Sequence, residues 1–379
     1  MTTDDPRKAN APTRRCERRT GRRITATLVW LAISLVACNA PPSAFREGSP
    51  MDQLPPHITP FTGRIEGGLR PAWHESRKRF LYLNDLVGDV FEFDLETGEA
   101  RPLTAHFAHL GFTRAHYLSN GDLLLCGPAE VRPDDPERGR WHAQFWLLEA
   151  DLDEPAKPLG ERCFEGPAVA RNSMRIAWVR TDLPEKMLTA RSELWTGIVD
   201  PNEGNPRIVD ARRLVGRSDF YGLAMLEPQD FRPPEENELL FTAYAWRGGE
   251  AMGVDLESGR IENYTRSPWY EEIEGVTPDG RYAFVEREFT LRNSPKGPID
   301  LWLAPLDGSG ELIRMTRFSE FAGFGANNPV VSPDCRSVLF GLRETGGEHG
   351  NSSGLLVYDL ASSPEAPADL CAPGDAPGE

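Results

Sequence analysis

Three of the seven histidines stand close together in LTAHFAHLGFTRAH, as His106, His109 and His116. Neutral imidazoles are good transition-metal ligands, so this is where a metal centre would be sought first. No Cys/His spacing of a known zinc type accompanies them, and surface or packing roles are expected instead. Glu271, Glu272 and Glu274 could supply a general acid and base if they met in a cleft. On so acidic a chain, such a run is expected to be a solvated face. A nucleophile elbow, a phosphate loop and a dinucleotide fingerprint are not expected, so no catalytic residue is assigned and no cofactor is called. Arg140, Trp141, Arg213, Tyr221, Trp246, Trp269 and Tyr270 form a second set, suited to binding rather than reaction. They combine aromatic faces with guanidinium groups between the apolar runs of the chain. Each aromatic could equally pack between sheets.

The elements that must hold these residues are short strands. Gly and Pro, 35 and 33 of 379 residues, exceed the usual share of about 12%. One pattern recurs from residue 70 onward: a turn, an apolar strand, a loop, a strand ending in Asp-Leu, a Gly turn, and a strand ending in Thr. Its first half is clearest in VTPDGRYAFVE and VSPDCRSVLFG, its second in FEFDLETGEARPLT, MGVDLESGRIENYT and LWLAPLDGSGELIRMT. Pro278 pre-sets a turn, Asp279 bonds nearby amides, and Gly280 accepts a positive φ. Four strands per unit at a period of about 40–55 residues describe propeller blades. Six units are expected, starting near Pro71, Gly111, Phe164, Phe220, Glu271 and Phe324. In the fourth, EPQDFRPPEEN is expected to form an extra loop.

These repeats resemble the TolB-like β-propeller family over about residues 70–361. The resemblance implies an all-β, six-bladed propeller without the N-terminal α/β domain of TolB, and it does not imply a Tol-system role. Some pectin-fragment lyases have similar repeats and a His-bound divalent metal near the channel, so a propeller lyase or lactonase is the alternative function. The sixth unit has three strands before a Pro- and Ala-rich tail, while ITPFT (58–62) resembles the unit-ending ARPLT and LIRMT. The N-terminal segment is therefore expected to complete the sixth blade and remove an exposed edge. Short turns fall on one face of such a ring, while long loops and links, bearing the Arg and aromatic candidates, fall on the other.

Ahead of the repeats, residues 1–23 carry eight basic and three acidic side chains, and Ile24 to Ala37 carries no charge. A membrane span needs about 20 apolar residues, so a signal peptide is expected. It ends in Leu35-Val36-Ala37-Cys38, which resembles the bacterial lipobox and implies lipidation of Cys38. Residues 1–37 then form the signal peptide, 38–56 a Pro-rich tether, 57–363 the propeller and 364–379 a disordered tail. Removing the signal takes the net charge from −16 to −21. Such a body is no nucleic-acid binder and would be repelled by anionic headgroups, leaving the lipid as its membrane anchor. The chain is expected to be an exported lipoprotein of the cell envelope, periplasmic or outer-membrane. It would act as a scaffold for an envelope protein or polysaccharide. Among the exported cysteines, strand adjacency suggests Cys126 with Cys163, and Cys335 with Cys371 would pin the tail across the first turn of the sixth unit, while the sequence leaves the connectivity open.

Overall fold

The computed structural model describes residues 45–63, 65, 68–76, 78–130, 142–182, 190–202, 204–220, 224–244, 246, 248–288, 299–344 and 352–371. The signal segment and Cys38 lie outside them. Strand β1 (Ile58–Pro60) stands alone in the chain, and the rest come in sets. The first set is β2 (Leu69–Trp73), β3 (Arg79–Leu83), β4 (Val90–Asp94) and β5 (Glu99–Pro102). The second is β6 (Arg114–Tyr117), β7 (Leu123–Pro128), β8 (Ala143–Leu148) and β9 (Lys157–Arg162). The third is β10 (Ala168–Val169), β11 (Arg175–Thr181), β12 (Ser192–Asp200) and β13 (Arg207–Gly216). The fourth is β14 (Met225–Phe231), β15 (Glu238–Tyr244), β16 (Gly249–Asp255) and β17 (Ile261–Asn263). The fifth is β18 (Tyr270–Val276), β19 (Tyr282–Glu288), β20 (Asp300–Pro305) and β21 (Ile313–Arg314). Finally come β22 (Phe324–Val331), β23 (Ser337–Glu344) and β24 (Ser352–Asp359).

Within each set, successive strands pair antiparallel. The fourth and fifth sets join into one sheet through a parallel pairing of Gly249 with Tyr270. Strand β1 lies antiparallel to β24, Ile58 opposite Tyr358 and Pro60 opposite Leu356. First strands touch one another: β2 with β6, β10 with β14, β14 with β18, β18 with β22, and β22 with β2. The buried clusters lie between the faces of neighbouring sets. Leu81 and Leu83 meet Leu123 and Leu125, Phe145 meets Trp178, and Phe80 and Phe93 of the first set meet Leu339 and Leu355 of the last. Four-stranded meanders stacked face to face around their first strands make this an all-β propeller.

The unit-ending threonine has a clear task. Thr104, Thr265 and Thr316 are all buried. Their hydroxyls accept from the N–H of Val90, Ala251 and Leu301 at 3.1, 3.1 and 2.9 Å. They then donate to the preceding acid, Asp89, Glu250 or Asp300, at 2.8, 2.9 and 3.1 Å. Each of these three units, the first, fourth and fifth, thus ties the end of its last strand to the start of its third and satisfies buried polar groups.

In the hairpin tips, Asp94 Oδ1 accepts from the amides of Glu96 and Thr97 at 2.8 and 2.9 Å, and Gly98 follows at φ 72°. The fourth unit departs from expectation. Residues 227–231 of EPQDFRPPEEN belong to β14, and only the turn after them is a connection. The strand survives because a bulge between Pro228 and Asp230 absorbs the irregularity. Its acids also find partners, Asp230 pairing with Arg171 at 2.8 Å.

Both cysteine pairs form, Cys126 with Cys163 and Cys335 with Cys371. Cys163 lies just past β9, and β8 separates β7 from β9 in the sheet, so the first pair does not join adjacent strands. Part of the tail expected to be disordered is ordered as far as Cys371. Ala366 and Leu370 pack on the core between the last two sets, and Tyr282 Oη donates to Asp369 Oδ1 at 3.1 Å.

Candidate functional site

The structure gathers charge where the first strands meet. Side chains alternate along a strand, so Glu272 and Glu274 of β18 share one face and Glu271 takes the other. On the shared face they join Glu227 of β14, Glu286 of β19 and Glu165 from the link before β10, whose carboxylates repel one another. Arg114 of β6, Arg70 of β2 and Arg343 of β23 act on the same cluster from the other side. The acidic run expected to be a solvated face is therefore divided: Glu272 and Glu274 stand half-buried in this hub, and Glu271 is buried on the opposite face against Arg287. β-alternation and the convergence of neighbouring strands put them there.

The backbone is bent to make this hub. Bulges interrupt β2, β14, β18 and β22. Arg70 and Asn328, within two of them, have left-handed backbones at φ 50°. Gly275, in the β18 bulge, lies so close to β22 that a β-carbon would meet the Pro329 carbonyl oxygen at 2.6 Å. Bulges re-aim side chains, and strained non-glycine residues concentrate at functional sites. Here the bend lets the Asn328 N–H donate to Glu286 Oε1 at 2.7 Å.

Burial disfavours each ionised carboxylate and raises its pKa. Glu227 is pushed up to about 8 by burial and by Glu165 and Glu272. Glu272 is pushed up to about 7 by burial and by Glu286. Glu286 also rises to about 7 through burial, against the Asn328 amide and the Arg343 and Arg70 charges. Glu274 is raised by burial and its acidic neighbours. His116 falls to about 4, through burial and then through Arg114 and Arg70.

Other candidates fare differently. Cys38, Arg140, Trp141 and Tyr221 lie outside the described residues. Arg213 is taken up by Glu193 at 3.3 Å and Asp219 at 3.1 Å. Trp246 packs edge-on to Phe220 against the core between the third and fourth sets. Trp269 is half-buried in the link into β18. Tyr270 is buried in the hub. The histidines do not converge. His106 is exposed, His109 pairs with Asp89 at 2.9 Å, and His116 faces arginines. Among the described residues no three His, Cys, Asp or Glu side chains come together to hold a metal ion. Gly350-Asn351-Ser352-Ser353-Gly354 has the Gly-x-Ser-x-Gly spacing, which sequence reading passed over. Ser352 opens the antiparallel strand β24, whereas an elbow needs a strand-to-helix turn. A groove of about 700 Å³ beside β5, lined by Phe61, Phe93, Leu95 and Ala100, is separate from the hub.

Sequence reading missed Arg70, Arg114, Glu165, Glu227, Tyr244 and Glu286. A signal was present: β2, β6, β14 and β18 each place an acid or a base at or near their start.

No protein-family model matches the chain, and no curated protein matches it. Among solved structures it is similar to a TolB-type protein of Agrobacterium tumefaciens, at 15% identity and a TM-score of 0.46, covering 67% of this chain and 77% of that one. The β-propeller domain of the Trilobed protease from Pyrococcus furiosus is similar at 12% identity and 0.46, over 78% and 80%. A puromycin-hydrolyzing peptidase of Mycobacterium tuberculosis is similar at 15% and 0.46, with 76% of this chain spanning 44% of that one. The class, an all-β propeller, rests on the sheets themselves. Among the described residues no helix is long and apolar enough to cross a membrane.

Proposed function

We propose that this chain is an exported bacterial lipoprotein, held in the cell envelope by acyl chains on Cys38. Its six-bladed TolB-like propeller, closed by β1, serves as a binding scaffold. One observation carries the binding role. Arg70, Arg114, Glu227 and Tyr270 lie at or near the starts of first strands, and Tyr244 and Arg343 at the ends of second strands. In a meander these two points share one end, the end from which the second-to-third loops and the links leave. A polar hub, basic toward β2 and β6 and acidic toward β14 and β18, therefore opens on the side of the long connections. Loops on a rigid scaffold are where binding residues concentrate. Both signs of charge suit an envelope protein or a polysaccharide bearing ionised groups.

The test is recovery of partners from envelope extract by the purified body. Trp141→Ala with Trp269→Ala, and separately Arg114→Ala, should weaken recovery more than tenfold, since contact aromatics and arginines contribute about 2 kcal/mol or more each. Glu96→Lys with Glu257→Lys, on the short turns, should leave it unchanged. Equal recovery from all variants of unaltered melting temperature would overturn the binding role. The lyase or lactonase reading needs a divalent metal, and the three histidines, His106 exposed, His109 paired with Asp89 and His116 facing arginines, do not fit one. A stoichiometric metal in the purified body, lost with His106→Ala and His109→Ala, would revive it.

A further inference from the structure

Tyr244 Oη lies 2.5 Å from Glu227 Oε2 and 2.5 Å from Glu272 Oε1. A phenol carries one hydrogen and can donate to only one of two carboxylates. The other contact closes only if that carboxyl brings its own proton. Glu272 Oε2 is already taken by the hydroxyl of Tyr270. Glu272 is thus placed to accept on both oxygens, from Tyr244 and Tyr270, and Glu227 to donate to Tyr244.

We propose that Glu227 is a neutral carboxylic acid in the folded protein, and that the chain Glu227–Tyr244–Glu272–Tyr270 is a proton-held clasp across the seam between the fourth and fifth sets. The clasp joins β14 and β15 to β18. Elsewhere this seam shows the pairing of Gly249 with Tyr270 and the Ile273 N–H donating to Thr242 Oγ1 at 3.1 Å. Loss of the proton leaves Tyr244 between two carboxylates with one hydrogen, and the seam slackens.

The charged groups facing the clasp favour the proton. Glu227 faces Glu165 from the link before β10, Glu272 from β18 and Arg114 from β6. Glu272 faces Glu286 from β19 and Glu165 again. Glu274, next on its face of β18, adds to the repulsion, and Arg70 of β2 opposes it. Burial and the acidic neighbours raise both carboxyls, and the geometry places the proton on Glu227, because both oxygens of Glu272 are taken by the hydroxyls of Tyr244 and Tyr270. The raised value also fixes the sign. The contribution is complete below the ordinary carboxylate value of 4.5 and disappears as pH rises through about 8.

The inference stands apart from the binding role and is tested without a partner. Infrared spectra at pH 6.5 should show protonated-carboxyl absorption that Glu227→Gln lowers by one carboxyl's share. Across pH 5 to 8 the wild-type folding constant should fall about tenfold per pH unit more steeply than that of Glu227→Gln, one proton's worth. Protection factors for hydrogen exchange in β14 and β18, taken against the intrinsic rate at each pH, should fall between pH 7 and 9 in wild type alone. If Glu227→Gln does not fold, Tyr244→Phe replaces it and should shift or lower the same absorption. A spectrum unchanged by whichever variant folds, or parallel pH slopes, would overturn the clasp.

Discussion

Cys335 and Gly280 occupy the same place in successive hairpin tips, and both have left-handed backbones, at φ 57° and 67°. In the fifth set a β-carbon on Gly280 would meet the Pro233 carbonyl oxygen at 1.9 Å, so only glycine fits. In the last set that position is a cysteine, held in a conformation L-residues resist by its bond to Cys371. The tail clamps both tips at once. Two residues before Cys371, Asp369 pairs with Arg281 and accepts from Tyr282 beside Gly280.

Replacing Gly280 with alanine should therefore lower stability by about 2–4 kcal/mol, from backbone strain and overpacking together. At Cys335 the order of variants is informative. Both Cys335→Gly and Cys335→Ala lose the cross-link, but the glycine variant relieves the strain and should be the more stable by about 1 kcal/mol. Urea midpoints decide it, and equal midpoints would mean the left-handed geometry has no energetic weight there.

Thr316→Val keeps the shape of the side chain and removes the hydroxyl between Leu301 and Asp300. It leaves the buried Leu301 N–H without its acceptor and takes one donor from Asp300, which keeps Arg314 and Ser319, a loss of about 1–3 kcal/mol. The same change at the exposed Thr97 should fall within about 0.5 kcal/mol. Comparable losses at both would contradict the role given to the unit-ending threonine.

His116 should make the protein acid-sensitive. Its pKa is lowered from 6.5 to about 4 by burial and by Arg114 and Arg70, so the unfolded chain binds the extra proton first. The contribution of His116 should fall as pH drops from about 6.5 to 4, opposing the gain from Glu227, and His116→Asn should remove it. Thermal melts at closely spaced pH values measure it, and an unchanged acid limb would place the sensitivity elsewhere.

Cys38→Ser should release the protein from the membrane fraction or leave it unprocessed, with the signal segment still attached. Fractionation and intact-mass measurement follow both. Membrane attachment and mass identical to wild type would remove the lipid anchor from the proposed function.

Local patterns carried the strands, the tips and the propeller class. Alternation and turn chemistry act over a few residues, so Asp279-Gly280, Asp94 to Gly98 and the threonine endings announce their hairpins whatever surrounds them. Four cysteines for pairing were legible, but which ones join was not: Cys126 meets Cys163 past an intervening strand, a proximity that only the folded sheet supplies. The hub was not legible either. Arg70, Arg114, Glu227 and Glu272 belong to four units and are more than forty residues apart in successive units. Each reads alone as a polar residue near a strand end. The burial of Glu227, the repulsion among the carboxylates and the phenol shared by Glu227 and Glu272 exist only once the first strands converge and the bulges turn the side chains inward. The sequence determined which residues form strands and where they turn. The tertiary structure alone decided which charges share one partly desolvated space, because desolvation and Coulomb repulsion depend on distance in space and not on position along the chain.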